Sequence, residues 1–115
     1  MSELDPWWAE DVETLINSGD LEELARLPIE LTNAGSHDPA WSQAVCVRLA
    51  VHPDAGVRGN AVLGLGHLAR SMRELDREPC HAIVVAALND PDRYVAAHAR
   101  SAADDIAQFL RWPMP

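Results

Sequence analysis

Long apolar runs are missing from this chain of 115 residues: the longest, Ala82 to Leu88, is far too short to cross a hydrocarbon layer of about 30 Å. The acidic start also lacks the basic opening of a secretory leader, so a soluble, cytoplasmic protein is expected. Cysteine is scarce. Cys46 and Cys80 form neither a paired zinc spacing nor a disulfide-dense framework, and both are expected as reduced core thiols. Strand-like alternation of apolar and polar residues is absent. Basic residues are scarcest at the front, where the stretch from Met1 to Glu30 sets nine acids against Arg26 alone and so carries −8 of the net charge of −9. Such a field repels phosphate backbones and anionic lipid, so neither nucleic acid nor membrane is expected as a partner. It speeds encounter with a basic protein, although an acidic face also serves solubility alone.

What is present is helical patterning in a chain that is 48% hydrophobic and 23% charged, the composition of one folded domain. Trp8, Val12, Leu15 and Ile16 form one stripe of a first helix, with Pro6 suited to its first turn and Asn17-Ser18-Gly19 to its end. Asp20 is placed to cap a second helix with apolar positions Leu21, Leu24, Ala25, Leu27 and Leu31, which Pro28 is expected to kink or shorten. After a turn over Asn33 to Asp38, Pro39 opens a third helix that buries Trp41, Val45 and Leu49, with Ala44 and Ala50 allowing close approach.

The break His52-Pro53-Asp54 recurs further along the chain as Asp90-Pro91-Asp92. In that register Pro53 pairs with Pro91, Asp54 with Asp92, Val57 with Val95, Ala61 with Ala99, Leu68 with Ile106 and Ala69 with Ala107. An apolar helix precedes each break, Trp41 to Val51 and Cys80 to Leu88. Two helices per unit at this spacing fit a helical solenoid.

The run Asp90-Pro91-Asp92-Arg93-Tyr94-Val95-Ala96-Ala97-His98-Ala99 resembles the start of a HEAT-like repeat, whose pattern is D-x-x-x-V-R-x-x-A. His52 to Ala61 resembles it too, with Val57-Arg58 and Ala61 in register and His52 where the first Asp is usual. In the second copy Ala96 replaces the Arg, which is expected to weaken an Arg-to-Asp contact within that repeat. The resemblance implies an all-α fold: a short α-solenoid of HEAT-like antiparallel helix pairs, about six helices in a single domain. Residues 1–37 would be a divergent N-terminal cap, with repeats at 38–75 and 76–112. Arg58 to Arg70 and Ala102 to Leu110 are also similar to small acidic HEAT-like proteins of bacteria that act as immunity proteins in polymorphic or contact-dependent toxin systems.

Chemistry-bearing constellations are few. Gly59, Gly64 and Gly66 each cost about 1 kcal/mol in a helix interior, which close stacking would offset. No Gly-Lys-Ser/Thr follows them, so they are no phosphate loop. Asn60, Gly64 and His67 share a face, and in register Asn60 corresponds to His98 and His67 to Asp105. They are read as a polar ladder between repeats or a contact surface, with a His67–Asp105 dyad as the weaker alternative because no nucleophile accompanies it. Asp104 and Asp105 point different ways on a helix and make poor acid–base partners. The five histidines lack helical metal spacing, so no metal or other cofactor is expected. Trp8 and Trp41 fit core stripes, whereas Trp7 and Trp112 are either caps on the solenoid ends or, for Trp7, a binding anchor among acids.

The resulting expectation is a non-enzymatic inhibitor, an immunity protein for a basic toxin domain, plausibly a nuclease; a scaffold or adaptor without a toxin partner is the alternative. Glu10, Asp11, Glu13, Glu22 and Glu23 would steer and pair with the partner's cations, and Trp7 would supply buried contact area. Oligomeric state stays open.

Overall fold

A computed structural model describes residues 7–33 and 38–115, with the side chains of residues 13–32 and 38–115. The described residues are all-helical, with six helices: α1 (Trp7–Ser18), α2 (Leu21–Asn33), α3 (Pro39–Leu49), α4 (Ala55–Met72), α5 (Arg77–Leu88) and α6 (Arg93–Leu110). None is long and apolar enough to cross a membrane. Pro6 and the tip of the turn after Asn33 lie outside the described residues, as do the side chains of Trp8 and Val12.

Helix boundaries follow from capping chemistry. Asp38, Asp54 and Asp92 each accept backbone N–H groups from the first turn that follows, at Ala40, Val57 and Tyr94 respectively, and so satisfy donors with no intrahelical partner. Asp20 Oδ1 accepts from Glu23 N in the same way. Gly19, at φ +75°, reverses the chain after α1. Two further helix ends use arginine in the same left-handed region, Arg73 at φ 55° and Arg111 at φ 61°. These two are spaced as Pro53 and Pro91 are, so the repeat extends to its stop signals.

Pro28 does not shorten α2: the helix runs on to Asn33 with Pro28 buried inside it. Thr32 Oγ1 donates to the Pro28 carbonyl at 2.8 Å, and the neighbouring Leu24 and Leu31 are buried. Tertiary burial therefore outweighs the lost helical hydrogen bond.

Packing places α4 at the centre. Asn60 of α4 meets α2 at Ala25 and α6 at Tyr94, near the start of each helix, while His67 meets Thr32 and Arg70 meets Asp105 further along. These contacts advance together, so α2, α4 and α6 lie side by side and run the same way. Gln43 of α3 bonds Asp76 just before α5, through Nε2 to Oδ2 at 3.0 Å and Oε1 from N at 2.8 Å. The start of α3 thus lies near the end of α4, and the two helices run in opposite directions.

Among the repeat pairs Val57 and Val95, Ala61 and Ala99, and Leu68 and Ile106 are buried alike. Ala69 is buried but Ala107 is exposed: α4 packs against both α2 and α6, whereas α6 has no such second neighbour among the described helices. Leu21 is 45% exposed and does not hold the core position expected of it; Ala44 is exposed, so of the two alanines expected at a close approach only Ala50 is buried. Ser42, also fully buried, keeps an Oγ without a partner among the described residues. In the repeat register it occupies the place of Cys80, where a thiol tolerates dry packing better than a hydroxyl.

The glycines of α4 explain how three helices approach one. A Cβ on Gly59 would sit 2.7 Å from the Tyr94 ring, on Gly64 2.9 Å from Cys46 Sγ, and on Gly66 2.8 Å from Ala102 Cα. Close stacking is thus their role.

Candidate protein-binding surfaces

Three surfaces carry the polar and exposed groups: the acidic first two helices, the seam across α2, α4 and α6, and a groove between α3 and α5.

On the acidic helices, Glu13, Glu22 and Glu23 are all exposed. Trp7, Glu10 and Asp11 lie on α1, but their side chains fall outside those described. Glu13 receives both Nε and Nη2 of Arg48 at 3.1 Å, a bidentate pair reaching from α3 to α1. Glu23 receives Arg26 at 2.7 Å from the next turn of α2. Two of the expected contact acids therefore already hold an arginine. Both pairs are about half exposed, where such bonds contribute no more than about 1 kcal/mol and exchange readily with water or another cation. Glu22 makes no ion pair among the described residues, and Asp20 and Glu30 add further exposed carboxylates.

The seam is a polar ladder with partners other than those the repeat register implies. Asn60 is reached by the Tyr94 hydroxyl, which donates to Oδ1, while its Nδ2 donates to Ala25 O at 2.7 Å. His98 instead packs against the Tyr94 ring, centroids 4.2 Å apart. His67 Nδ1 lies 3.2 Å from Thr32 Oγ1, and Asp105 is bonded by Arg70 at 3.3 Å, so no His67–Asp105 hydrogen-bonded dyad forms. Thr32 gives its single proton to Pro28 O, so Nδ1 of His67 carries the hydrogen and Nε2 titrates. Asp104 turns away to Arg100 at 3.5 Å.

Burial lowers the pKa of His67 below 6.5, with Arg70 and His98 adding to the effect and Asp105 opposing it. Burial also lowers that of His98. Both folded values lie below the unfolded one, so the unfolded chain takes up protons first as pH falls. Their stabilising effect is complete above about pH 6.5 and is lost as pH drops through the folded values. The urea midpoint should fall across that window, and His67→Gln should flatten the decline; an unchanged slope in the variant would refute the assignment.

The thiols are inert by burial. Burial raises Cys46 and Cys80 to about 12, and both are free. Among the described residues no group of three or more His, Cys, Asp or Glu side chains is placed to hold a metal ion. Trp112 is half-buried against the core, with Arg77 5.7 Å from its ring centroid and His81 beside it. Arg73 likewise lies 5.3 Å over Phe109. Arg73, Arg77 and Arg111 carried no signal in the apolar periodicity.

Between α3 and α5 runs a groove of about 240 Å³ lined by Ala50, Val51, Ala82, Ile83, Ala86 and Ala87, with Arg58 and Asp90 on its wall. Arg58 donates from Nε and Nη2 to both Asp90 carboxylate oxygens at 2.8 and 3.0 Å, and from Nη1 to the carbonyls of His52 and Pro53. The Arg-to-Asp contact thus joins consecutive repeats rather than lying within one, correcting the expectation for Ala96. Among the described residues, none stands to Ala96 as Asp90 stands to Arg58.

No known protein family, no curated protein and no solved structure matches this chain.

Proposed function

We propose that this chain is a short HEAT-like solenoid acting as a non-catalytic protein-binding inhibitor, an immunity protein that docks on a basic toxin domain, plausibly a nuclease. The observation carrying this reading is the exposed carboxylate surface of the first two helices, where Glu22, Asp20 and Glu30 extend beyond the acids already paired. The stacked α2, α4 and α6 with reversed α3 support the solenoid, since that is the arrangement two-helix repeats produce. A toxin that binds phosphate needs a positive site, and an acidic inhibitor complements it. The protein would act in the cytoplasm, where such a toxin does its damage.

A scaffold or adaptor is the second reading, favoured by the internal pairing of Glu13 with Arg48 and of Glu23 with Arg26. The two separate in a capture experiment from native extract at low salt, eluted with rising salt. A stoichiometric basic protein released only at high salt supports the inhibitor; acidic or housekeeping proteins support the adaptor. With the captured protein in hand, the double variant Glu22→Lys/Glu23→Lys should slow association about tenfold at low salt and flatten its salt dependence. An unchanged association rate removes charge steering.

A further inference from the structure

The groove between α3 and α5 is a gap that the neighbouring repeat junction closes. Arg48 spans from α3 to Glu13 of α1, yet the residue in register with Arg48 in the next repeat is Ala86, whose methyl spans nothing. Opposite Ala86 stands Val51, 69% exposed, the most exposed of the large hydrophobic residues described. The residue in register with Val51 is Asn89, a polar residue whose Nδ2 bonds Val85 O and which lines no groove among the described helices. Among the described residues the exposed aliphatic side chain thus occurs beside the groove, and a polar one takes its place at the other break. Solubility favours polar residues at both places, so the apolar rim calls for a contact to cover it.

Size and charge narrow the occupant. About 240 Å³ is below the usual range for a small-molecule pocket and suits a single aliphatic side chain entering from a partner surface. Beside it, Arg58 is clasped by Asp90; Asp54, whose carbonyl accepts from Arg58 N, and Asp92, whose N–H bonds Asp90, stand at the same two breaks, so three carboxylates meet one guanidinium at that end. We propose that the groove is a docking site for an aliphatic side chain flanked by arginine or lysine on the basic partner, with Val51 and Ala86 gripping the aliphatic part and the aspartates of the repeat junction facing the cation. This rests on the basic-partner reading and places its anchor away from α1 and α2.

The test uses two defined probes, N-acetyl-Leu-Arg-amide and N-acetyl-Leu-Glu-amide, titrated at millimolar concentration into the isotope-labelled protein while backbone amide shifts are followed. Saturable shifts centred on Val51, Ala82 and Ala86, several-fold tighter for Leu-Arg, are expected. They should vanish in the double variant Val51→Glu/Ala86→Arg, which lays an ion pair across the gap, with helical circular dichroism retained. Val51→Ser, a milder change, should weaken binding while keeping the groove open. Absence of shifts at the groove, equal response to both dipeptides, or undiminished binding in the filled variant would overturn the proposal. The two layers fail separately: a captured basic partner that binds the filled variant unchanged removes the groove alone, whereas absence of any basic partner removes the function on which it rests.

Discussion

Gly66→Ala should lower the unfolding free energy by about 2 kcal/mol, although the same change in an unconstrained helix interior stabilises by about 1. The sign is decided by what the new methyl meets. It would lie 2.8 Å from Ala102 Cα and 3.1 Å from its Cβ, and the first of these is backbone of α6 that moves only if the helix moves. Gly59→Ala should cost less, because the obstacle there is the Tyr94 ring, which swings aside at the expense of its bond to Asn60. Gly64→Ala should fall between them, since Cys46 Sγ yields more readily than a main chain but Thr32 crowds the same space. Chemical denaturation of the three variants checks the order. A Gly66→Ala protein as stable as the parent would mean that α4 and α6 are not locked together at this point.

The same glycines show how much of the fold could be read beforehand. The recurrence of the His52 break at Asp90, the aspartate caps and the glycine packing were legible because each depends on local chemistry or on repetition in the chain itself. The continuation of α2 through Pro28 was not, because helix-breaking is a local penalty that burial overrides here. Leu21 misled for the complementary reason, since a periodic pattern says which residues share a face and not how wide the covered face is.

The candidate surfaces were less legible still. Counting charge from Met1 to Glu30 identified the acidic helices, but not that Arg48, two helices further on than Glu13, folds back onto it. Charge on a chain is additive, whereas charge on a surface depends on which cations the fold delivers. The groove left even less trace, because its walls are mainly alanines that look like ordinary helix filler. Only the comparison of Ala86 with Arg48 and of Val51 with Asn89 marks the place, and its meaning depends on knowing that α3 and α5 are neighbours.

The second large effect is expected from Arg58→Ala, which should cost about 2 kcal/mol at neutral pH. The pair it removes is mostly shielded, with 19% of the arginine side chain and 13% of the aspartate side chain exposed, and the same guanidinium ties down two carbonyls at the break before α4. Loss of the arginine leaves Asp90 with its bond from Asp92 N, so the damage is that of a half-satisfied carboxylate rather than an isolated one. The hydrogen bond from Arg58, reinforced by that backbone bond, holds the Asp90 pKa below its ordinary 3.8. A depressed carboxylate contributes stability that is present above the unfolded value and lost as pH falls through the folded one. The gap between parent and variant should therefore be full at neutral pH and narrow in acid below about pH 3.8. Ala96→Arg supplies the contrast: at the corresponding place in α6 it should change stability by less than about 0.5 kcal/mol, since no described residue stands to it as Asp90 stands to Arg58. Equal costs at both positions would show that the arginine stabilises its own helix and not the junction between repeats.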